Sequence, residues 1–262
     1  MSDTGSTASE PTVLTGVERV RRTAKEDKQV RFTALLHQLT IDLLRESFQS
    51  LKREAAPGID GQRWKQDEQD VEKKLIDLHG RVHRGAYRAQ PSRRVYLEKP
   101  DGRKRRLGIA VLEDKIVQGA VVRILNAIYE EDFLGFSYGF RPERGAHDGL
   151  DALSVALQFE KVGGVRDADI QSFFDTMSHE WRMKFIQHRV AEPRIQRLIQ
   201  KWLKAGVSEE GEWSSTTIGT PQGADISPCW RMCTCTRRWT SGHSNGEGKR
   251  RARCLSSVTP MM

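Results

Sequence analysis

Asp167-Ala168-Asp169-Ile170-Gln171-Ser172-Phe173-Phe174-Asp175 sets carboxylates and aromatics where a strand passes into a helix. The short run from Gly163 to Ile170 suits the strand, and Ser178 is an N-cap for the helix that follows through Trp181, Phe185 and Ile186. A strand that delivers a carboxylate to its end presents a hard oxygen donor. Mg²⁺ takes such donors and uses one or two carboxylates alongside substrate phosphates. Two such ions clamp the attacking and leaving oxygens when a 3′-hydroxyl displaces a triphosphate. One carboxylate is half of that site. Acidic residues at strand ends also serve as caps or stay solvated, so this run alone leaves both readings open.

The elements that must position it are read from period and punctuation. Phe32, Leu35, Leu36, Leu39, Leu43, Phe48 and Leu51 recur at helical spacing and predict one amphipathic helix. Pro57-Gly58-Ile59-Asp60-Gly61 breaks the chain, and residues 68–84 are helical again. Arg93 to Leu97 reads as a strand before the turn signal Lys99-Pro100-Asp101-Gly102. Glu113 to Glu131 is helical by period, and a further helix runs from Ala146 to about Gln158. Pro193 starts another, with Ile195, Leu198, Ile199 and Leu203 inside and Gly206 ending it. Gly206 to Ile218 has hairpin composition. His147 and His179 fall at helix starts, with no second metal ligand spaced with them. The order of elements predicts an α+β or α/β protein.

Charge narrows the partner less than its total implies. The 262-residue chain has a formal net charge of +8, but residues 229–262 carry seven Lys/Arg against one Glu, leaving 36 basic and 34 acidic groups before them. The informative feature is local: Arg81 to Arg106 holds ten Lys/Arg against Glu98 and Asp101, with Tyr87 and Tyr96 among them. Such a stretch suits a phosphate-lined surface, and equally a solvated basic face. All four cysteines lie in residues 229–262, so no disulfide framework is expected and a reducing cytoplasm fits. No apolar run reaches eighteen residues, so no membrane span is expected. The Ser/Thr-rich start has no apolar core segment and is not a secretory signal; residues 1–29 are expected to be an unstructured leader.

Tyr96-Leu97-Glu98-Lys99-Pro100-Asp101-Gly102-Arg103-Lys104-Arg105-Arg106-Leu107-Gly108-Ile109 resembles the fingertip block of reverse transcriptases. Leu112 to Gln118, Ser137-Tyr138-Gly139-Phe140-Arg141-Pro142, Asp169 to Asp175 and Gly219-Thr220-Pro221-Gln222-Gly223 resemble its next blocks in order, and Pro57 to Gly61 its N-terminal block. The resemblance spans residues 30–228 and is strongest to group II intron-encoded proteins. It implies a right-hand polymerase fold, with fingers over 30–160 and a partial palm over 161–228. It implies RNA-directed DNA polymerisation in intron splicing and retrohoming, with Mg²⁺, intron RNA, an RNA template with a DNA primer, and dNTPs as cofactor and partners. By position, Asp169 would be the catalytic metal ligand with the Ile170 carbonyl beside it. Phe174 would pack on the incoming sugar, and Lys99 and Arg105 would meet the triphosphate. Gln222 would line the nucleotide site, and Asp167 and Asp175 would be structural. Arg141 would touch template backbone, although an Arg in a turn is as often a surface salt-bridge partner. Arg106 replaces a common Pro. Asp225 sits where an apolar residue is usual, at a cost unless paired.

After Ile226-Ser227-Pro228 relatives continue Leu-Leu-Ala-Asn-Val-Tyr-Leu-His, whereas residues 229–236 read Cys-Trp-Arg-Met-Cys-Thr-Cys-Thr. The genetic code accounts for the change. Shifting the frame makes Cys229–Trp230 encode Leu, Met232–Cys233 encode Val and Met261–Met262 encode Asp. Ser257 to Met262 then permits Val-Arg-Tyr-Ala-Asp-Asp, which contains the family's second aspartate block. Residues 229–262 are therefore expected to be an out-of-frame tail without a domain. Neither its cysteines nor Lys249 to Arg253 is then a selected site. The chain as written is expected to be catalytically incomplete, with an RNA-binding fragment or an inert pseudogene product as alternatives.

Overall fold

The computed structural model describes residues 15–64, 70–98, 102, 104–139, 141–159 and 178–215. They form α1 (Gly16–Glu26), α2 (Ile41–Ser50), α3 (Val71–His83), β1 (Ser92–Glu98), β2 (Lys104–Ile109), α4 (Leu112–Tyr129), α5 (Ala146–Phe159), α6 (His179–Arg189), α7 (Pro193–Lys204), β3 (Val207–Glu209) and β4 (Glu212–Ser214). This is an α+β arrangement. Among the described residues no helix is long and apolar enough to cross a membrane. The expected strand over 163–170 and the tail over 229–262 lie outside the described residues.

Helix α4 is the axis of the core. Ile116, Val117, Ala120, Val121, Ile124, Leu125 and Ile128 are all buried on it, and α1 and α2 pack across it. The same core continues through Leu75, Leu78 and Val82 of α3 and Ile195, Leu198, Ile199, Trp202 and Leu203 of α7. The sheet runs β2-β1-β3-β4. β1 and β2 are antiparallel from Arg93↔Ile109 to Glu98↔Lys104, while β1 meets β3 in parallel at Ser92↔Val207. Gly206 makes that junction possible. Its φ is +77°, and an added Cβ would lie 2.5 Å from the Ser214 carbonyl oxygen. It ends α7 and turns the chain into β3, as its place in the sequence predicts.

Two expectations change. Residues 15–26, assigned to an unstructured leader, form α1. Thr15 Oγ1 accepts the Glu18 amide at 3.3 Å and Glu18 Oε2 accepts the Thr15 amide at 2.8 Å, a reciprocal capping box. Val20 and Ala24 are then buried, and Arg21 pairs with Glu131 at 2.8 Å. Nor is 32–51 one helix. A single 3₁₀ turn at Leu36–Gln38 precedes α2, which Thr40 starts by accepting the Leu43 amide at 3.2 Å. The apolar residues keep their inward face because both pieces lie against the same core.

That break is held from a distant helix. Glu192, buried at the N-cap of α7, takes the amides of Leu35 and Leu36 on one carboxylate oxygen, the second at 2.7 Å. Its other oxygen meets Arg194 at 2.8 Å. Nearby, Phe32 bridges Val190, and Arg189 is buried against Asp132 at 2.6 Å. Removing the Glu192 carboxylate strands two buried amides. Glu192→Ala should therefore lose about 3 kcal/mol of stability in urea unfolding, and Glu192→Gln, which keeps one acceptor, less. A change within about 0.5 kcal/mol for the Ala variant would show that water replaces the carboxylate freely.

Candidate nucleic-acid interface

The β1–β2 ladder divides the basic run into two faces. Directly opposed residues share a face, so Arg94, Tyr96 and Glu98 lie with Lys104 and Arg106, while Arg93, Val95 and Leu97 lie with Arg105, Leu107 and Ile109. Lys104, Arg105 and Arg106 are all exposed. The Tyr96 hydroxyl donates to Glu209 Oε1 at 2.7 Å, which ties this hairpin to the β3–β4 hairpin. That hydrogen bond raises the Tyr96 pKa above its usual value.

Other members of the run have internal partners. Arg81 forks onto Glu113 at 2.6 Å and also meets Asp77 at 2.6 Å. Arg93 donates to the Pro57 carbonyl from Nε and Nη2 at 3.0 and 2.8 Å, and Lys115 Nζ donates to the Ala56 carbonyl at 3.0 Å. The Pro57 to Gly61 turn is thus fastened to β1 and to the first turn of α4. Gly58 permits this contact, because a Cβ there would lie 2.6 Å from Val111 Cα. Composition alone could not separate the arginines that bind carbonyls from those that face outward.

The base of the hairpin is fixed by a buried polar junction. The Tyr87 hydroxyl donates to Asp114 Oδ1, and Trp202 Nε1 donates to the Tyr87 hydroxyl at 2.8 Å. The Gln90 amide donates to Asp114 Oδ2 at 3.0 Å. Burial pushes Asp114 up to about 6, against the pull of the Tyr87 and Gln90 hydrogen bonds, and burial likewise drives Tyr87 well above its ordinary value. The sequence placed Asp114 in a family block but gave it no role. Its signal was weak, because Asp114 stands between Glu113 and Lys115 in the first turn of α4 and only the burial of its position sets it apart.

Of the two readings for Arg141, template contact and salt-bridge partner, the structure shows an ion pair, in an internal place. Its side chain is 5% exposed and pairs with Glu130 at 2.5 Å. It also donates to the carbonyls of Leu134 and Ser137 at 3.0 and 2.8 Å and lies over the Phe133 ring. It shapes the turn before α5. Lys99, Asp169, Ile170, Phe174 and Gln222 lie outside the described residues, as do Asp167 and Asp175. Among the described residues no group of three or more His, Cys, Asp or Glu side chains is placed to hold a metal.

Residues 97–236, from the end of β1 through the block around Gln222, match the family described as reverse transcriptase (RNA-dependent DNA polymerase). The chain belongs to the reverse transcriptase family. It is 37% identical over 184 residues to protein YkfC of Escherichia coli K12, covering 68% of this chain and 48% of that protein. It is 32% identical over 217 residues to the group II intron-encoded protein LtrA of Lactococcus lactis subsp. cremoris, covering 81% and 35%. It is 36% identical over 138 residues to an uncharacterized 91 kDa protein in the cob intron of Schizosaccharomyces pombe, covering 53% and 17%. The matched region spans half or less of each relative. These matches agree with the group II intron resemblance read from the blocks themselves.

For this reverse transcriptase region the junction predicts a pH signature. The folded pKa of Asp114, about 6, lies above its ordinary 3.8, so the folded state holds the proton more tightly. The stability it contributes is complete below about pH 4 and lost as pH rises through 6, about 3 kcal/mol in all. Asp114→Asn should remove this slope, so that wild type and variant converge at neutral pH relative to pH 4. Parallel stability-versus-pH curves from urea unfolding would contradict the assignment.

Proposed function

We propose that the protein to which this region belongs copies RNA into DNA and serves a group II intron in splicing and retrohoming. The single observation that supports this most is the exposed basic β1–β2 hairpin, anchored at its base and carrying the fingertip block. Fixed cations of this kind neutralise charge that develops on a transferring phosphoryl group. In this reading Lys99 and Arg105 bind the triphosphate, Phe174 packs against the sugar and excludes a 2′-hydroxyl, and Gln222 lines the nucleotide site. Arg141 positions the turn before α5 and acts on template only through it.

Asp169 and the Ile170 carbonyl are hard oxygen donors, the set that Mg²⁺ selects, and we assign them to hold it. When bound, Mg²⁺ supplies Lewis acidity at the phosphoryl oxygens. Residues 229–262 we read as the out-of-frame product of a lost base. In that reading Ser257 to Met262 stand where the second aspartate block is encoded, so this chain retains half of the carboxylate set. The exposed hairpin favours a second reading for the chain as written, an RNA-binding fragment without polymerisation.

Primer extension on an RNA template, with Mg²⁺ and dNTPs, separates these readings. The 262-residue chain should not extend the primer, and a frame-restored version should. Asp169→Ala in the restored version should lower extension by roughly a thousandfold. Extension by the 262-residue chain that disappears in Asp169→Ala would overturn the out-of-frame account, and a restored version indifferent to Asp169→Ala would overturn the metal assignment.

A further inference from the structure

Helix α7 carries no acidic residue, and its outer face is basic. Arg197, Lys201 and Lys204 stand at i, i+4 and i+7, so they share one side of the helix over about 10 Å. Arg88, from the segment between α3 and β1, faces them across an open groove that Gln200 completes. Arg88, Arg197 and Lys204 are exposed. Among the described residues none of the four cations forms an ion pair with a carboxylate. Lys201 is instead held by the Gly85 carbonyl at 3.0 Å and by that of Tyr87, over whose ring it also lies, so its charge is fixed in place.

Ordinary helix electrostatics do not explain the group. Lys201 and Lys204 gain from the partial negative charge at the C-terminus of α7. Arg197 lies outside the last turn and gains little, and it repels Lys201 four residues on. Arg88 belongs to another segment altogether. Four cations drawn together, with no carboxylate partner among the described residues, repel one another unless a polyanion meets them. The groove is open and the cations are spread along it, which suits a strand of phosphates better than one small anion.

We propose that this groove binds the sugar–phosphate backbone of RNA, at a place distinct from the β1–β2 hairpin. Six residue steps of β1 separate the base of the hairpin from its outer end, roughly 20 Å. The two basic surfaces therefore lie at opposite ends of one strand, and the buried Tyr87–Asp114–Trp202 junction sits beneath the groove. The choice of RNA rests on the polymerase reading above. The contact itself is to phosphates and carries no sequence preference.

The test is fluorescence anisotropy of a labelled RNA duplex with the full 262-residue chain, titrated across salt concentrations. Arg88→Gln/Arg197→Gln/Lys204→Gln should lower the slope of log K against log salt by about 2 to 3, because each lost phosphate contact removes about 0.7 to 0.9. Its thermal midpoint should hold or rise, since like-charge repulsion is relieved. Arg88→Lys/Arg197→Lys should keep the slope. An equal loss with a matched DNA duplex supports a backbone contact, and a loss with DNA alone overturns the proposal. If Lys104→Gln/Arg106→Gln lowers the slope and the groove variant does not, the groove proposal fails while the polymerase reading stands. RNA affinity of the unaltered chain weaker than about 100 µM would remove both.

Discussion

A carboxylate buried at the first turn of α4 is the constraint on which the rest of the arrangement depends. Asp114 cannot be solvated where it lies, so it must be supplied with donors from elsewhere in the chain. Tyr87 and Gln90, on the segment that enters β1, provide them, and Trp202 of α7 completes the set through the Tyr87 hydroxyl. Three stretches far apart in sequence are thereby brought to one point. The cost of leaving any member unpaired makes the junction specific as well as cohesive.

What this junction positions is charge. The segment through Tyr87 and Gln90 sets where β1 begins, and β1 carries half-buried Arg94 and exposed Tyr96 on the same face as Lys104 and Arg106 of β2. The same segment places Arg88 against α7. Arg81 and Arg93, equally basic in the sequence, are spent on Glu113 and on the Pro57 carbonyl, and they brace α3 and the Pro57 to Gly61 turn. One dense basic run thus serves three physical purposes. Only the fold, through strand pairing and proximity to carboxylates and carbonyls, assigns each residue to one of them.

Where local period and punctuation agreed, the sequence reading was close. The helix expected over 113–131 is α4 at Leu112–Tyr129, Ser178 caps α6 by accepting the Glu180 amide, and Pro193 and Gly206 bound α7. It failed where a side chain acts on backbone. The Thr15/Glu18 capping box that makes α1 follows a Ser/Thr-rich start, whose composition hides a single Thr that caps a helix. The split between the 3₁₀ turn and α2 depends on Thr40 and on Glu192, a long-range partner that no local window contains. For Arg141 a salt-bridge role was legible, but not the partner, because Glu130 lies across a turn whose shape the pair itself defines. For the candidate site, the block order was enough to reach the family. The roles of Lys99, Asp169, Ile170, Phe174 and Gln222 rest on that order, since these residues lie outside those described.

The claim that the junction holds the hairpin and α7 in one frame is tested most directly by amide exchange in Tyr87→Phe. The ring keeps its packing, while Asp114 loses one donor and the Trp202 indole loses its acceptor. The Ser92 amide, which donates to the Gly206 carbonyl at 3.1 Å, reports whether β1 stays registered on β3. The Leu44 amide, which donates to the Thr40 carbonyl at 3.1 Å, reports on the α2 core. The account predicts that Ser92 exchanges at least about tenfold faster in the variant while Leu44 is unchanged, a local opening of about 1.4 kcal/mol. An unchanged Ser92 rate, or Ser92 and Leu44 rising together, would contradict it.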